Sequence, residues 1–127
     1  MSDLRPVGVS IDIEGVERHL LFTLNAIDEI QEHYDMELQE IMDKITDKGR
    51  ASDVLRFVFL ALLNDEADRE AAKGNNDLKK YSEKETGWLI TLDNQLEILI
   101  KILEAYGASL PNMEDDDPNR TSGQVTK

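Results

Sequence analysis

Residues 54–63 read VLRFVFLALL, a run that is apolar on nearly every side of a helical wheel and is broken only by Arg56. It sits in a chain with 27 acidic and 14 basic residues and a formal charge of -13. A helix that is apolar all round needs partners on all sides. Two readings follow. Either this segment is the central helix of a single core, or part of its surface waits for another protein. On a 100° wheel Val54, Phe57, Val58 and Ala61 form one face, assigned to the core, and Leu55, Phe59 and Leu63 form a second, with Leu60 away from both.

The rest of the chain bounds what can surround this run. A chain of 127 residues is expected to form one domain that buries roughly two-thirds of its unfolded surface. Cysteine is absent, which excludes disulfides, thiolate metal sites and thiol nucleophiles and suits a reducing compartment. No stretch reaches the ~18 apolar residues of a membrane span, and Met1 to Val9 lacks the layout of a signal peptide. The acidic excess repels phosphate backbones and anionic lipids, so neither nucleic acid nor membrane is an expected partner.

Upstream, Val7, Val9, Ile11 and Ile13 alternate with Gly8, Ser10, Asp12 and Glu14, the period of a half-buried strand. Glu14-Gly15 supplies a turn, and a second extended run over Val16 to Leu24 carries Leu20, Phe22 and Leu24, which predicts a hairpin. A first helix places Ala26, Ile27, Ile30 and Tyr34 on one stripe. Asp35 is the expected cap of a second helix, with Leu38, Ile41, Met42 and Ile45, ending near Lys48-Gly49.

Ser52 is the expected cap of the third helix, whose polar second half, Asp65 to Lys73, should protrude or fray before Gly74. Ser82 and Glu85 have capping-box spacing before Trp88, Leu89 and Leu92. Asp93 or Asn94 should start a fifth helix with Leu96, Leu99, Ile100, Leu103 and Tyr106 on its main stripe, ended by Gly107 and Pro111. Ile98 and Ile102 lie one turn apart as apolar surplus beside that stripe. From Pro111 onward the pattern stops at Glu114-Asp115-Asp116-Asp117, and the tail is expected to be disordered. The predicted fold is therefore mainly α: an N-terminal β-hairpin and four to five packed helices over 1–110, then a disordered acidic C-terminal tail over 111–127.

Chemistry is sparse. Glu29 and His33 lie one helical turn apart, but two ligands do not make a zinc site, and the pair reads as surface. His19, beside Glu17 and Arg18, reads the same way. Asp115 to Asp117 lack the alternating ligands and turn glycine of a calcium loop. No phosphate-cradling glycine motif is present, and Ser82 and Ser109 have no neighbouring base. No catalytic residue, cofactor or metal is expected. The remaining option is binding through helical faces, with Leu55, Phe59, Leu63, Ile98 and Ile102 as the candidate partner-binding residues. An acidic inhibitor that imitates DNA is the alternative suggested by the charge, although the acids are spread over the outer face of every helix.

The succession VSIDIEGVERHLLFTLNAIDEIQEHY, MELQEIMDKI, VLRFVFLALLNDE, SEKETGWLI, LEILIKILEAY and EDDDPN resembles the tail assembly chaperones of long-tailed (siphovirus-type) bacteriophages and prophages. The likeness spans roughly residues 5 to 119 and rests on apolar spacing more than on signature residues. It implies a small, mainly helical protein of the host bacterial cytoplasm that coats the tape measure protein before the tail tube polymerises. It also implies a longer form, made by ribosomal frameshifting, that recruits the tail tube protein, and it allows self-association. Such a protein acts by occupancy and is not an enzyme.

Overall fold

The computed structural model describes residues 8–46 and 51–110. The expected acidic tail lies outside the described residues, and the second helix, expected to run to Lys48-Gly49, ends earlier, at Lys44 with Ile45 as its cap. Strands β1 (Val9–Ile13) and β2 (Val16–Leu20) pair antiparallel, and helices α1 (Leu24–Tyr34), α2 (Leu38–Lys44), α3 (Ala51–Ala72), α4 (Glu83–Leu89) and α5 (Gln95–Ser109) follow. The molecule is mainly α with an N-terminal hairpin, as the sequence predicts.

The hairpin turns on Glu14-Gly15, both at positive φ (55° and 83°), between the paired Ile13 and Val16. Two central residues in the left-handed region match the twist of the flanking strands. Asp12 Oδ1 accepts from the Gly15 amide at 2.9 Å. At the other end Gly8 has φ 94°, and a side chain there would meet the Leu20 carbonyl oxygen at 2.7 Å, so glycine is required twice over. The second strand is shorter than predicted. Thr23 caps α1 by accepting from the Ala26 amide, which puts Leu24 in the helix with its side chain in solvent.

Asp35 also takes a different role: at φ 54° it closes α1 in the left-handed conformation. Glu37 begins α2 instead, in a reciprocal box with Glu40. The Ser82–Glu85 box over α4 is as predicted, with bonds of 3.1 and 2.9 Å.

Helix α3 is the centre. It packs against α1, α2, α4, α5 and β2, and every residue from Val54 to Leu63 except Arg56 is buried. Arg56 points outward against α4, where a side-chain carbon at Gly87 would lie 3.8 Å from its guanidinium. At ~1.5 Å per residue the 22-residue helix is about 33 Å long and can serve as the common wall for the other elements. Ser52 lies inside its first turn, so it is not the cap.

The polar half of α3 neither protrudes nor frays at its start, because Asp65, Glu66 and Ala67 are buried. Arg18 shares the inward face of β2 with Leu20. It donates from Nε to Glu66 Oε1 at 2.8 Å and from Nη2 to the Leu63 carbonyl at 2.7 Å. Glu66 also accepts from the His19 amide at 3.0 Å, and Asp65 accepts from Thr23 Oγ1 at 2.8 Å and Arg69 Nε at 3.0 Å. Asn64 clamps the returning chain through both polar atoms: Nδ2 donates to the Tyr81 carbonyl at 2.8 Å and Oδ1 accepts from the Tyr81 amide at 2.7 Å. Most buried polar groups are paired in this way, Arg69 Nη2 being an exception.

Candidate functional site

All five partner-binding candidates are inside the subunit. Leu55, Phe59, Leu63, Ile98 and Ile102 are exposed by 7%, 0%, 0%, 1% and 0% respectively. For the first three the reason is the central position of α3, which leaves no side of the apolar run without a neighbour. For Ile98 and Ile102 the reason is rotation of α5. Ile98, Ile102 and Ala105 face inward, and the helix packs on β1, β2 and α3.

That rotation turns the other stripe to solvent. Leu96, Ile100 and Leu103, predicted to be the main packed stripe, are exposed by 64%, 54% and 37%. Their spacing of i, i+4 and i+7 puts them on one face of α5. Two more large apolar side chains, Trp88 at the end of α4 and Leu92 in the link, are exposed by 72% and 90%. An exposed leucine alone means nothing, but a row of them at helical spacing on a firmly packed helix is a candidate contact surface.

The two flanks of the row differ. Glu97 and Glu104, seven residues apart and both exposed, lie on one flank. Lys101, half-buried, sits farther round toward the packed face. The other flank carries half-buried Leu99 and Tyr106, and the Tyr106 ring meets Phe22 edge to face at a centroid distance of 5.9 Å. The face therefore has an apolar centre, an acidic rim on one side and an apolar shoulder on the other.

Sequence reading missed Leu96, Ile100 and Leu103 as surface because both stripes of α5 are apolar. The available signal was Ala105, whose small side chain suits the close approach of a helix to a packed neighbour.

Several other polar side chains pack into the fold. His33 stacks on Phe57 at a centroid distance of 3.7 Å and 9° between planes, so it covers the end of the core. His19 Nδ1 is 2.8 Å from Glu66 Oε2, and its Nε2 is 3.2 Å from Glu17 Oε2. Burial raises the Glu29 carboxyl above its usual range, aided by the carboxylates of Asp65 and Asp68 and opposed by Lys80 and His33. Burial and the bond to Glu14 likewise raise the Tyr81 phenol.

An open cleft of about 670 Å³ between α1 and α2 is lined by Asp28, Glu32, Asp35, Met36, Glu37 and their neighbours. Among the described residues no group of three or more histidines and carboxylates is placed to hold a metal ion, and no helix is long and apolar enough to cross a membrane. Comparison of the chain with protein-family models, curated proteins and solved structures finds no match.

Proposed function

We propose that this protein is a tail assembly chaperone that binds and solubilises a tape measure protein, acting by occupancy and without catalysis. The observation that carries the reading is the outward face of α5, where Leu96, Ile100 and Leu103 form an apolar row on a helix anchored from behind. The hairpin followed by helices is also the kind of fold that the sequence resemblance implies.

The physics of the task fits such a face. A long helical client with apolar stripes aggregates through them when unshielded. A helix presenting apolar side chains at i, i+4 and i+7 can pack along such a stripe. One short row gives modest affinity, and many copies side by side would cover a long client. The charge of -13 keeps the coated client soluble by mutual repulsion. A longer, frameshifted form would add the contact to the tail tube protein.

The test is co-expression with a tape measure protein. The wild-type chain should move that protein into the soluble fraction and copurify with it, and the Leu96→Gln/Ile100→Gln variant should leave it in the pellet while remaining folded itself. A wild-type chain that neither solubilises nor copurifies with the client rules the reading out.

A further inference from the structure

We infer that the α5 face selects a helix whose apolar stripe is bordered by lysine or arginine along one side. This deepens the reading above and rests on the α5 face being the docking surface. Three candidate occupants can be separated by charge. The chain's own C-terminal segment carries Glu114, Asp115, Asp116 and Asp117, the same sign as the rim formed by Glu97 and Glu104. A second copy meets a similar barrier. In a symmetric antiparallel pairing, Glu97 and Glu104 of one copy face Glu104 and Glu97 of the other, and any pairing brings together two chains of charge -13.

A basic-flanked amphipathic helix meets neither barrier. Its apolar row packs on Leu96, Ile100 and Leu103, and its cations reach Glu97 and Glu104, both exposed. Its opposite side has no charged partner to meet, since Leu99 and Tyr106 line that shoulder. The asymmetry also fixes direction: reversing the helix would carry its cations from the acidic rim to the apolar shoulder. Complementary charge of this kind contributes to register and on-rate as much as to affinity.

Three labelled peptide helices test this, all with leucine at i, i+4, i+7 and i+11 and with one flank made of lysine, glutamine or glutamate. Binding to the full chain, read by fluorescence anisotropy, should follow the order lysine, glutamine, glutamate, with about a tenfold spread in Kd at low salt. The spread should shrink in ~0.5 M NaCl, where the Debye length is only a few ångströms. The E97K/E104K variant should reverse the order. The D28K/E32K variant, with the same change in net charge on α1, should keep it.

Equal binding of the three peptides, or no binding of any, overturns the inference. Equal effects of the two charge variants also overturn it, by assigning the preference to the general acidity of the molecule. A dimer in sedimentation that L96Q/I100Q dissolves gives the face to a second copy. None of these peptides contains tape measure sequence, so their ranking stands or falls separately from the co-expression result.

Discussion

Arg18 occupies a core position, and the energetics of the hairpin turn on it. The residue is 1% exposed, and its guanidinium is held by Glu66 and by the carbonyls of Leu63 and Lys79. A buried pair of this kind gains little net stability over an apolar pair of the same shape, but losing one partner leaves an uncompensated charge. Arg18→Met should therefore cost roughly 3–5 kcal/mol in urea unfolding, and Arg18→Met/Glu66→Met should be less destabilised than Arg18→Met. A single variant as stable as the wild type would show that Glu66 finds other compensation, with His19 the nearest candidate at 2.8 Å.

Among the elements, α5 carries the sharpest stability test because its two stripes are chemically alike. Ile102→Ala should cost about 2–5 kcal/mol through a cavity against the hairpin. Ile100→Ala, on the solvent face, should change stability by no more than about 0.5 kcal/mol. If the two losses are equal, the assigned rotation of the helix is wrong.

The same comparison explains what the sequence could disclose. The hairpin tip, the first helix stripe and the Ser82–Glu85 box are local, set by residues within a few positions of one another, and they were legible. The rotation of α5 was not, since Leu96-Ile100-Leu103 and Ile98-Ile102-Ala105 both satisfy helical periodicity and only the partner surface chooses between them. The buried second half of α3 was hidden for a related reason: Glu66 and Asp65 are neutralised by Arg18 and bonded by Thr23, 48 and 42 positions away. The candidate site followed the same logic. The idea of an apolar helical face was legible, and its residues depended on which faces the fold consumed.

At the scale of the whole molecule, 27 acids against 14 bases crowd carboxylates even where the fold needs them close. Where α1 meets α3, Glu29 is exposed at its surface, yet its partial desolvation and then Asp65 and Asp68 raise its carboxyl. A carboxyl with a raised folded-state pKa holds its proton longer when folded than when unfolded, so stability falls as pH rises through that titration. Glu29→Gln should accordingly raise the thermal midpoint at about pH 7, with the advantage fading as pH falls toward about 4. An advantage that persists unchanged at the lower pH would mean that the substitution acts by packing and not by charge.

The anchoring of α5 by Ile98, Ile102 and Ala105 has a thermodynamic corollary. A face that is already in its bound shape loses little conformational entropy on association, so nearly all the ordering penalty falls on whatever helix docks there. On the proposed reading, affinity is then governed by the docking helix's own tendency to be helical. Among segments of equal apolar content, those that are already helical when free should bind first.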